Sequence, residues 1–87
     1  MTENDLLKNM HKLHTTELGA LRIRRNLSLD TEDVIAWCRE KIASEEAVIT
    51  RKGKNWYIEA DDVVITVNAF SYTVITAHPS QKKKYSC

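Results

Sequence analysis

The sequence predicts an α+β domain in which N-terminal helices cover one face of a four-stranded antiparallel meander. Three observations carry that prediction. Up to Ala43 the apolar residues recur at three- and four-residue intervals, and from Ala47 onward the period falls to two. All the helical pattern precedes all the strand pattern, an order suited to helices layered on one side of a sheet. The chain has 87 residues, enough for one modest core. A single α+β domain over residues 1–79 is expected, with residues 80–87 as a basic, flexible C-terminal tail.

Leu6, Leu7, Met10, Leu13 and His14 follow helical spacing, with Asn4 or Asp5 available to cap the first turn. Thr15 and Thr16 offer hydroxyls to start a second helix over Glu17 to Arg25, whose expected stripe is Leu18, Leu21 and Arg25. Gly19 lowers that helix's propensity by about 1 kcal/mol relative to alanine. A third helix is expected from an Asp30 N-cap to about Ala43, with acidic residues in its first turn and Leu29 placed to staple onto Val34. Its inward stripe is Val34, Ile35, Cys38 and Ile42, with Trp37 and Lys41 at the border.

Val48 to Lys52 and Asn55 to Ala60 flank Gly53 and read as a hairpin. Asp61-Asp62 offers the next turn, before Val63 to Asn68, and Ala69-Phe70-Ser71 connects to Tyr72 through Ala77. Pro79 is expected to stop that strand. Alternation places Trp56, Ile58, Val63, Ile65 and Val67 toward the helices, leaving Asn55, Tyr57, Glu59, Val64, Thr66 and Asn68 on an open face. For the fourth strand, either Ile75 and Ala77 point in while Tyr72, Val74, Thr76 and His78 point out, or the reverse. The first option gathers the larger polar set on one face and is preferred for its consistency with the other strands.

Composition narrows the function classes. The 13 Lys plus Arg against 12 Asp plus Glu give a formal charge of +1, so any attraction to nucleic acid must be local. The acidic start does not resemble a signal peptide, and no apolar run approaches the roughly 18 residues that span a bilayer. A cytoplasmic protein without membrane partners is expected. Only Gly19 and Gly53 are glycines, which excludes the phosphate-cradling loops. His11 and His14 have a zinc-like H-x-x-H spacing but no third ligand in a matching pattern, so neither metal nor other cofactor is expected. Cys38 and Cys87 match no paired-cysteine motif, and Cys38 reads as a small core residue.

The open sheet face is the candidate site, with Tyr57, Thr66, Asn68, Tyr72, Thr76 and His78 converging on it and Arg51 within reach. His78 and His14 carry the group best suited to proton transfer at neutral pH, although a strand-end and a helix-end imidazole equally serve as plain surface residues. Arg22, Arg24 and Arg25 form one basic group and Arg51, Lys52 and Lys54 another. Both are suited to phosphate contacts and also read as ordinary solvated charge. Tyr57, Tyr72 or Trp56 would stack on a base.

The strings Leu13-His-Thr-Thr-Glu-Leu-Gly19, Arg22-Ile-Arg-Arg-Asn-Leu27, Asp33-Val-Ile-Ala-Trp-Cys38, Ile49-Thr-Arg-Lys-Gly-Lys-Asn-Trp-Tyr57 and Ile65-Thr-Val-Asn-Ala-Phe-Ser-Tyr-Thr-Val-Ile-Thr-Ala-His78 resemble a family of short bacterial and prophage proteins of unknown function. The resemblance covers about residues 13 to 79. More distantly, helices leading into a meander that ends in Val-Ile-Thr-Ala-His-Pro are similar to the barnase, EndoU, colicin and RelE-like superfamily of metal-independent ribonucleases. His78 stands where that superfamily has an aromatic residue. The likeness implies RNA cleavage by attack of the 2′-hydroxyl on phosphorus. His14, Asn68, Tyr72, Thr76 and His78 would then be catalytic candidates, with Arg22 or Arg51 as phosphate ligands. With Lys54, Tyr57 and Thr66 on the substrate side, the leading expectation is an RNA-directed domain, possible partner RNA. The alternatives are a protein-binding module, such as a mobile-element inhibitor, and association through an exposed sheet edge.

Overall fold

The computed structural model describes residues 3–80, and the Lys82 to Lys84 run of the expected tail lies outside the described residues. The elements are α1 (Glu3–Lys8), a 3-10 turn (Met10–Lys12), α2 (Glu17–Leu27), α3 (Val34–Ile42), β1 (Val48–Lys52), β2 (Asn55–Ala60), β3 (Val63–Asn68) and β4 (Val74–Pro79). The strands form an antiparallel sheet in the order β1-β2-β3-β4, a meander as expected. Leu6, Leu13, Ile23, Val34, Cys38 and Ile42 pack on Trp56, Ile58, Ile65, Val67, Val74 and Ala77 in one core. The helices therefore lie on one face of the sheet. No described helix is long and apolar enough to cross a membrane.

The first helical pattern breaks in two. The Asn9 side-chain amide donates to the Asp5 carbonyl oxygen at 2.8 Å, taking the acceptor the backbone would use, and the chain tightens into the 3-10 turn. Helix α3 starts later than the sequence predicts. Asp33 is its cap, accepting from the Ala36 N–H at 3.0 Å, while Thr31 accepts from the Asp33 N–H ahead of the helix.

Helix α2 is capped by Thr16, which accepts from the Gly19 N–H at 2.9 Å, and ends on Ser28 in the left-handed region at φ 55°. Its expected stripe is corrected. Leu18 is 71% exposed and Leu21 43%, whereas Gly19 and Ile23 are buried against the sheet. The helix lies along β4, and Gly19 sits where its first turn passes the Thr15 and Thr16 side chains. A Cβ at Gly19 would run into Thr15 Oγ1, which is committed to the Val74 carbonyl oxygen at 2.9 Å. Gly19→Ala should accordingly lower the melting temperature by several degrees, although propensity alone would raise stability by about 1 kcal/mol. A melting temperature equal to or above wild type would show that Thr15 leaves its partner freely.

Strand β4 mixes the two options. Ala77 points into the core while Thr76 and His78 face out, opposite Thr66 and Val64, as preferred. A register shift at Thr66/Val67 then inserts Ile75 as an extra residue, so Val74 is buried and Ile75 is 39% exposed, contrary to the expectation. Tyr72 is also corrected. It adopts φ 62° and packs on the core beside Trp56 instead of joining the open face. Pro79 continues the strand opposite Val63, which is tolerated because β4 is an edge strand.

Candidate functional site

The open face is regular in register. Thr50, Tyr57, Thr66 and Thr76 form one cross-strand row, and Val48, Glu59, Val64 and His78 form the next. Thr66 is only 8% exposed, so it is nearly closed to a ligand even without a helix above it. His78 hydrogen-bonds through Nδ1 to the Pro79 carbonyl oxygen at 3.0 Å. It sits opposite Val64, whereas Asn68 ends the same strand four residues away, about 13 Å along the sheet.

The denser cluster lies at the loop end of the sheet. The Ala69 N–H donates to the Lys54 carbonyl oxygen at 2.8 Å and joins the β3–β4 connection to the first hairpin. Arg51 is opposite Trp56 and shares its helix-side face, so it does not reach the open-face row. Its guanidinium carbon lies 5.9 Å from the Trp56 ring centroid and 5.6 Å from that of Phe70. Trp56 and Tyr72 are 5.4 Å apart, tilted by 53°, and Lys12 Nζ lies 5.5 Å from the Tyr72 ring centroid. Lys12, Tyr72, Trp56, Arg51 and Phe70 thus form a continuous row, with a cation on either side of the Tyr72–Trp56 pair. Phe70 is 65% exposed at its end.

Beside this row runs a polar network. The Asn68 side-chain oxygen accepts from the Phe70 and Ser71 N–H groups at 2.9 and 3.0 Å, a turn that Asn favours. Ser71 Oγ also lies 3.2 Å from that oxygen and 2.8 Å from Thr73 Oγ1, and Thr73 Oγ1 is 3.0 Å from His14 Nε2. His14 Nδ1 is 2.9 Å from the Lys12 carbonyl oxygen. A carbonyl only accepts, so this contact puts a proton on Nδ1, and Nε2 is the ring nitrogen that meets Thr73 Oγ1. The His14 backbone is held too: its N–H donates to the Tyr72 carbonyl oxygen and its carbonyl accepts from the Val74 N–H.

Of the ten candidates, the fold brings His14, Asn68, Tyr72, Arg51 and Lys54 to this end. Tyr57, Thr66 and Thr76 remain in the middle of the open face, with His78 beyond them, and Arg22 lies on the outer side of α2. Convergence of all of them on one patch does not occur, because Arg51 and Tyr72 belong to the opposite face. Lys12, Phe70, Ser71 and Thr73 were missed. For Phe70, Ser71 and Thr73 the signal was the Asn68-to-Thr73 loop, in which an Asx turn and two hydroxyls frame an aromatic, whereas Lys12 had none. Among the described residues no three His, Cys, Asp or Glu side chains gather as a metal site would require.

Residues 7–78 match the model of a family described as protein of unknown function, DUF3781. The chain belongs to that family. No curated protein and no solved structure matches it.

Proposed function

We propose that the protein is an RNA-directed domain that binds single-stranded RNA at the loop end of its sheet. The observation that carries this reading is the exposed Phe70 ring with the Arg51 guanidinium beside it, continued through buried Trp56 to Tyr72 and Lys12. Single-stranded nucleic acid presents phosphate charge beside planar bases, which a cation next to an exposed ring can meet together. Arg51, Lys12 and Lys54 are the phosphate contacts, and Phe70 is the stacking platform. With a net charge of +1 the attraction is local, and a cytoplasmic setting would supply the ligand. Cleavage without a metal cofactor extends the same reading, with His14 Nε2 as the proton acceptor.

Fluorescence anisotropy with a labelled mixed-sequence RNA tests the binding. Removing a stacking side chain costs about 1–3 kcal/mol, so Phe70→Ala should weaken binding by roughly 5- to 150-fold, and Arg51→Gln should both weaken it and flatten its salt dependence. Wild type that fails to bind at low salt would end the proposal, as would variants that bind equally well. Incubation of RNA with chelator present tests cleavage. General base catalysis contributes about 100- to 10,000-fold, so His14→Ala should nearly abolish any cutting, while intact RNA with wild type restricts the role to binding.

The alternative reading is a non-catalytic protein-binding module. It is favoured by Leu18 and Leu21 on the outer side of α2, which border a recess of about 260 Å³ with Arg22, Arg25 and Asn26. Under it, Leu18→Ser would reduce partner affinity and Phe70→Ala would not.

A further inference from the structure

The two edges of the sheet are finished differently. At β4, Thr15 Oγ1 donates to the Val74 carbonyl oxygen at 2.9 Å, Asn26 Nδ2 donates to that of Ala77 at 3.2 Å, and the His14 backbone bridges Tyr72 and Val74. That edge is covered. At β1, Lys52 and Asn55 flank the two-residue turn, and such a pair exchanges both ladder bonds. Val48, Thr50 and Lys52 therefore direct their backbone groups to β2, and Ile49 and Arg51 direct theirs outward. Among the described residues, no backbone hydrogen bond outside the β1–β2 ladder involves Ile49 or Arg51. Val48 beside them is 60% exposed.

Unpaired edge groups form a template for another strand, and natural sheets usually cover them or guard them with charge. Here the guarding charge has its own complement. Glu45 and Glu46 precede β1, and Arg51, Lys52 and Lys54 lie at its other end. We infer that β1 pairs antiparallel with β1 of a second copy of this chain, forming a two-fold symmetric dimer with a continuous eight-stranded sheet. An antiparallel two-fold sets the basic end of each copy against the acidic end of the other, twice. Parallel addition would set like charge against like. A two-fold centred on a β1 residue also keeps side chains of the same face together, so both helix layers lie on one side of the extended sheet.

A five-residue edge buries far less than the about 1,200 Å² of a standard stable interface, so the dissociation constant is expected in the micromolar range or weaker. Sedimentation equilibrium at low salt, with protein up to about 300 µM, should show a monomer–dimer equilibrium that weakens as salt is raised. Lys52→Glu alone and Glu46→Lys alone should each weaken self-association at least about tenfold, since each sets like charges opposite one another twice. Mixing the two variants should restore a 1:1 dimer, because each supplies what the other lacks. Circular dichroism would verify that both exposed substitutions leave the fold intact. A strictly monomeric wild type would overturn the inference. It would also fall if the variants self-associate like wild type, or if their mixture gains nothing.

Discussion

Trp56→Ala is expected to destabilise the protein by about 3–5 kcal/mol, measured by urea denaturation, because it empties the largest fully buried side chain of the core. A small domain has a total stability of about 5–15 kcal/mol, so much of the variant should be unfolded on warming. The ring also connects the core to the loop end, touching Tyr72 on one side and Arg51 on the other. Its removal should disorder the loop-end surface even in molecules that stay folded. Trp56→Phe separates these effects. Trp56 Nε1 is buried without a hydrogen-bond partner among the described residues, and phenylalanine removes that unsatisfied donor while keeping most of the apolar volume. It should cost far less than Trp56→Ala. Equal losses for the two variants would show that the indole itself, rather than burial, holds the core.

The second large effect is a pH dependence centred on Cys38. Burial pushes its thiol up from 9.0 to about 12, because the thiolate has no compensating solvation inside the helix layer. A pKa raised in the folded state means that folding favours the proton. The associated stability is fully present below pH 9 and is lost as pH rises toward 12, at about 1.4 kcal/mol per unit. Denaturation series between pH 8 and 11 should show this slope in wild type and a shallower one in Cys38→Ala, so that the stability gap between the two narrows as pH rises. Parallel slopes would mean that the thiol reaches solvent in the native state. In a Cys87→Ser background, Cys38 should likewise resist a thiol reagent at pH 8 until the protein is unfolded.

Periodicity alone determined the architecture of this protein. The switch from helical to twofold spacing near Ala47, the turns at Gly53 and Asp61-Asp62, and the alternation through Trp56, Ile58, Ile65 and Val67 depend on neighbours within a few residues. Such patterns leave little choice of element or buried face. Only the tertiary structure decided where α2 lays its weight, because the choice between its Leu18/Leu21 and Gly19/Ile23 sides depends on its packing along β4, distant in sequence. The same holds for β4, where one extra residue at Ile75 exchanges the faces of Val74 and Tyr72 and dissolves the predicted open-face patch. The loop-end cluster was illegible for a related reason. Lys12, Arg51 and Phe70 come from three separate segments, and His14 meets Thr73 across 59 residues of sequence, so only long-range packing makes them neighbours.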